Sequence, residues 1–179
     1  VLIILIVVIS IACFAYSFLK VSVISKIDGR YYTVKNNSLK QSSADLLASV
    51  NKNLLQLIRY ANKESYSKNL QKYDPAKIHE NIMNFDTTYT TNKSSMVFCI
   101  SPRTIENTTK LYDINTMMYV AIHELAHIAS DSVGHTDEFK RNFADLLKKG
   151  IEIGVYRYID YNKEPVEYCG IKLTKSILN

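Results

Sequence analysis

The chain has 179 residues, with 22 Lys and Arg against 17 Asp and Glu, a net charge of +5, 47% hydrophobic residues and three cysteines. Three cysteines without CxxC spacing exclude a disulfide-built scaffold, and the lysines are too scattered to suggest a specific nucleic acid as partner. Beyond an apolar opening, about 160 residues remain, enough for one domain with its own core.

The opening, "VLIILIVVISIACFAYSFL", residues 1–19, has no charge. As a helix it would span roughly 28 Å, close to the hydrocarbon thickness of a bilayer. It predicts a transmembrane anchor over 1–19, a domain over 20–179 and a single-pass membrane protein. A cleaved signal peptide ending at Cys13-Phe14-Ala15 is the rival. Lys20, Lys26 and Arg30 favour the cytosolic side, whereas the Asn36, Asn92 and Asn107 sequons would favour the opposite one, so the side of the membrane stays open. With Cys13 in the opening, at most one disulfide can form in the domain, between Cys99 and Cys169.

Next, Asp28-Gly29 marks a turn before a β-prone run, Tyr31 to Val34. In residues 42–64 the apolar Leu47, Val50, Leu54, Leu57, Ile58 and Ala61 recur at helical steps, with Ser42 and Asp45 as a start signal. Asp74-Pro75 predicts the cap and first turn of a short helix, with His79 as a surface histidine. Residues 86–95 read as loop and 95–100 as a strand ending at Ser101-Pro102. Asp113 is a suitable N-cap for a helix over 114–129 that is apolar nearly all round, hence central to the domain. After a break holding Gly134, Thr136 caps a further helix whose core face is Phe139, Phe143, Leu146, Leu147 and Ile151. "EPVEYCGIKL" reads as a turn and strand. The class is α+β.

Three of the four histidines lie in "HELAHIASDSVGH". His123 and His127, four apart, project from one helical face and can bind one metal. Glu124, next to the first histidine, points beside the metal, where it can take a proton from activated water. Zinc needs a third ligand: His135 follows the glycine break, with Glu138 as alternative or supporting residue and Glu152 more distant. A structural zinc site would favour cysteines and four ligands, whereas three histidines and a glutamate favour catalysis. Tyr168, or else Tyr156 or Tyr158, is a candidate donor to an oxyanion.

"HELAH" followed by "GHTDEF" resembles the SprT-like and WLM-type zinc metallopeptidases. The chain is more similar still to WLM-type metallopeptidases of large DNA viruses, through "DGRYYTVKN", "DINTMMYVAIHELAHI" and "PVEYCG". The resemblance implies a compact zincin-like fold with the HExxH helix packed on a small sheet, Zn2+ on His123, His127 and His135, and Glu124 as general base. It implies a hydrolase of protein or peptide substrates, on a virion or host-cell membrane if the anchor holds. The anchor departs from the soluble nuclear members, which argues against a DNA-repair role, and the eight-residue step from His127 to His135 argues against the metzincins. The alternative is a metal-binding assembly component of a virion or membrane complex with little turnover.

Overall fold

A five-stranded mixed sheet forms one layer of the domain. The computed structural model describes residues 4–6, 18–63, 68–82, 87–102 and 110–178. The sheet contains β1 (Lys20–Ile24), β2 (Tyr31–Lys35), β3 (Ile78–Glu80), β4 (Tyr89–Thr91) and β5 (Ser95–Phe98) in the order β1-β2-β3-β5-β4. β1 and β2 form an antiparallel hairpin, β3 runs parallel to both β2 and β5, and β4 returns antiparallel to β5 as an edge strand. A parallel neighbour needs a long crossover. Helix α1 (Lys40–Lys63) lies in that connection and packs on β1, β2 and β3.

The apolar residues read at helical spacing on α1 are all buried in the core. Ser42 and Asp45 do not start it, however. Asn37 Oδ1 accepts the Leu39 amide just ahead of the helix, while Asp45 accepts Ser25 Oγ (2.8 Å) and the Lys26 amide (2.7 Å), tying α1 to the β1–β2 turn. A 3-10 turn, Lys68–Lys72, leads toward β3.

Two further helices build the site. α2 (Ile114–Ala129) is buried around nearly its whole circumference, packing against α1, β4, the 3-10 turn and α3 (Asp137–Glu152). Asp113 caps it as expected, accepting the Asn115 and Thr116 amides at 2.9 and 3.0 Å. Thr136 caps α3, accepting the Phe139 amide. The C-terminal strands β6 (Val166–Tyr168) and β7 (Ile171–Leu173) form a separate hairpin, turning on Cys169 and Gly170 with φ of 50° and 84°. A disulfide joins Cys99, just past β5, to Cys169, stapling this hairpin to the main sheet.

Several expectations are corrected. The α+β class stands, but no helix among the described residues is long and apolar enough to cross a membrane. A span needs about 20 consecutive apolar helical residues. α1 has 24 residues but a polar face, and the apolar α2 has only 16. The transmembrane helix expected over 1–19 and the single-pass membrane localisation are therefore withdrawn. Of that segment only 4–6 and 18–19 are described, and the proposed cleavage site lies outside the described residues. The carbonyls of Phe18 and Leu19 already accept the side-chain and backbone N–H groups of Asn36 at the edge of the hairpin.

The helix expected after Asp74-Pro75 is a turn followed by β3. Asp74 Oδ1 accepts the Ala76 amide and its carbonyl accepts the Lys77 amide, the same local bonds that could open a helix, but pairing with β2 and β5 draws residues 78–80 into the sheet. His79 is consequently half-buried rather than a surface residue, and burial lowers its pKa. The segment read as loop over 86–95 contains β4, and β1 has no counterpart among the expected elements.

Candidate metal centre

His123 and His127 stand on α2 one turn apart, both partly buried. α2 ends at Ala129, where Ser130 Oγ donates to the Ala126 carbonyl at 2.8 Å and the chain leaves the helix. Gly134, at φ +85°, lets the backbone reverse so that His135 swings back over α2. The ligand-capable ring nitrogens of His123, His127 and His135 lie within 4.8 Å of one another, and Nε2 of His123 and His135 are 3.1 Å apart. On a tetrahedral zinc with Zn–N of about 2.0–2.1 Å, ligand nitrogens lie roughly 3.3 Å apart. The three side chains could therefore hold one metal ion with small adjustments.

Phe139, on the first turns of α3, supports all three imidazoles. Its ring stacks on His127 at 4.2 Å and meets His123 and His135 edge-on at 4.9 and 4.8 Å. Phe143 adds a contact to His123 at 5.1 Å. Burial pushes the His123 pKa down to about 3, helped by repulsion from His127 and His135. Burial likewise pushes His127 down to about 4, with His135 and Lys93 adding to it. Both imidazoles are thus neutral at ordinary pH, the form that coordinates metals.

Glu124 is 5% exposed. Thr90 Oγ1, on β4, donates to its Oε2 at 2.8 Å. Burial pushes the carboxyl up to about 7, and the Thr90 hydrogen bond opposes that rise. A buried carboxyl poised near neutrality can both take and return a proton. A cleft of about 610 Å³ opens over these groups, between β4 on one side and the β6–β7 hairpin on the other, with Ile171 and Leu173 in its wall.

The remaining candidates fall elsewhere. Glu138 is not in the histidine cluster: its carboxylate accepts the Asp131 and Ser132 amides at 2.8 and 3.0 Å. The Ser132 side chain and these amides hold its pKa down to about 2. Glu152 is exposed near the end of α3, apart from the cluster. Tyr168 lines the cleft, but its hydroxyl donates to the Cys99 carbonyl at 2.6 Å and also pairs with Thr88 Oγ1, so its proton is committed to the fold. Tyr156 and Tyr158 do not line the cleft. Sequence reasoning missed Thr90 and Lys93, which sit in a polar stretch with no periodic signal, and saw Phe139 only as a core residue.

The chain is 32% identical over 167 residues to uncharacterized protein R325 of Acanthamoeba polyphaga mimivirus, covering 86% of this chain and 82% of that protein. It belongs to the family of that viral protein. Shorter stretches are similar to two other viral proteins: 34% identity over 68 residues to uncharacterized protein 136R of Invertebrate iridescent virus 6, 38% of either chain, and 37% over 84 residues to uncharacterized protein 042R of Invertebrate iridescent virus 3, 46% of this chain and 49% of that one. No family model and no solved structure matches the chain.

Proposed function

We propose that this chain is a zinc-dependent peptide hydrolase. The observation that carries the reading is the convergence of His123, His127 and His135 beside the buried Glu124 at the floor of an open cleft. Likeness of the "HELAH…GHTDEF" segment to SprT-like and WLM-type metallopeptidases supports it. Three imidazoles are a donor set that zinc accepts readily, and three protein ligands would leave a coordination position open. Zinc held there supplies Lewis acidity that makes water ionise near neutral pH.

The chain's own groups then divide the work. Thr90 fixes Glu124 through Oε2, leaving Oε1 to take a proton and later deliver it to a leaving amine. Phe139 keeps the three imidazoles in place and excludes water from one side of them. Among the described residues β4 is an edge strand bordering the cleft, so its outer edge suits an extended protein or peptide segment as substrate.

The test is zinc content and cleavage of an unfolded protein substrate by wild type, His135→Ala and Glu124→Gln. About one zinc per wild-type chain, weakened in His135→Ala and retained in Glu124→Gln, with cleavage lost in both variants, is the expected result. A folded wild-type chain that binds no zinc would overturn the reading. Stoichiometric zinc with no cleavage, and Glu124→Gln indistinguishable from wild type, would favour the metal-binding assembly role instead.

A further inference from the structure

The third histidine comes from a loop, and a loop positions a metal ligand only as well as it is itself held. Residues 130–132, which precede His135, are gripped from two directions. From α3, Glu138 accepts the Asp131 and Ser132 amides. From the β4–β5 turn, Lys93 Nζ donates to the carbonyls of Ser130, Asp131 (2.7 Å) and Ser132 (3.3 Å). Asn69 adds a bond to the Asp131 carboxylate at 2.7 Å. An ammonium has three donors and no acceptor, so three converging carbonyls match it fully.

Lys93 reaches the loop from an unusual backbone. It occupies the β4–β5 turn together with Asn92, both at positive φ, 49° and 51°, and the turn is closed by the Ser94 amide on the Thr91 carbonyl. Asn tolerates this region, whereas Lys adopts it at a cost. Moreover, β4 in the same hairpin carries Thr90, which holds Glu124. One edge hairpin therefore holds the loop of the third histidine with its tip and the buried glutamate with its strand.

We propose that Lys93 is a positioning residue for the metal centre: by binding the carbonyls of residues 130–132 it fixes the loop that presents His135, and so sets the affinity of the three-histidine site. Glu138 serves the same loop through its amides. This inference rests on the metal reading above. It makes the β4–β5 hairpin a shared support, so that loosening the hairpin disturbs ligand and glutamate together.

The test compares the full chain as wild type, Lys93→Met and Lys93→Arg. Zinc affinity is read by competition with a chromophoric chelator, and loop order by amide hydrogen exchange in metal-free protein. Lys93→Met is expected to bind zinc about 10–100-fold more weakly, in the range of lost supporting contacts to metal ligands. It should also exchange faster at Asp131 and Ser132, with α2 unchanged. Lys93→Arg, which keeps the charge and several donors, should recover most of the affinity. Zinc affinity in Lys93→Met within twofold of wild type would overturn the proposal. Exchange accelerated equally through α2 and α3 would do so too, since that marks general destabilisation. Wild type that binds no zinc would remove the metal reading itself, and this inference with it, an outcome separable from the variant effects.

Discussion

Thr90→Val tests the link between the sheet and Glu124. Valine keeps the β-branched shape and strand preference of threonine, so β4 should form unchanged. What is lost is the hydroxyl that donates to Glu124 Oε2 at 2.8 Å. A hydrogen bond to a charged group contributes about 1.5–3 kcal/mol, and 1.36 kcal/mol corresponds to about one pH unit. The bond favours the ionised carboxyl, so its removal should raise the Glu124 pKa, already pushed to about 7 by burial, by roughly one to two pH units. A bound dication lowers the absolute value but leaves the direction of the change intact. The titration can be read directly in metal-free protein from the 13C-labelled Glu124 carboxyl carbon, and in zinc-loaded protein from the acid limb of the pH profile of kcat/KM. Both should move upward together. An unchanged carboxyl titration in Thr90→Val would refute the argument that this hydroxyl sets the proton affinity of Glu124.

Two further outcomes follow from the same structure. His123 and His127 have pKa values lowered well below 6.5 in the fold, so the unfolded chain binds protons that the metal-free fold refuses, and their contribution to stability is lost as pH falls below about 6.5. Glu124 acts oppositely, since its raised pKa favours the fold below about 4.5 and that gain fades as pH rises to about 7. Two histidines against one carboxyl give a net loss on acidification. Thermal melts of metal-free protein should fall between pH 6.5 and 5, and a flat or rising melting temperature would contradict this. Separately, the Cys99–Cys169 disulfide closes a separation of 70 residues, for which the chain-entropy estimate is about 4 kcal/mol. Cys99→Ser with Cys169→Ser should lower the melting temperature by about 10 °C, given about 2–4 °C per kcal/mol for a domain of this size. A change of under 2 °C would show that the staple does not constrain the unfolded chain in this way.

Where the sequence was readable, local chemistry and burial agreed. Asp113, Thr136 and the apolar spacing of α1 each act through neighbours within a few positions, so their meaning survives without knowledge of the rest of the fold. The pair His123 and His127 is local in the same sense, one helical turn apart. Elements that depend on distant partners were misread. The Asp74-Pro75 signal is shared by helix starts and turns, and only pairing with β2 and β5 decides between them. β4 is three residues long, Tyr89–Thr91, too short for its alternation to stand out from a polar stretch. For the opening segment the correction rests on length and hydropathy alone, since no helix among the described residues is long and apolar enough to cross a membrane.

By itself, then, the sequence determined the α+β class, the capped central helix with two histidines and a glutamate, and the glycine break that allows a third histidine to return. These rest on periodicity, capping and backbone freedom, which operate over one to four residues. The tertiary structure alone decided that His135 meets the other two, that Phe139 supports all three, and that Thr90 and Lys93 reach Glu124 and the 130–132 loop from one edge hairpin. Those contacts join residues 34 to 39 positions apart in the case of Thr90 and Lys93. No local pattern encodes such a pairing, because it exists only once β4 has been laid over α2 by the sheet.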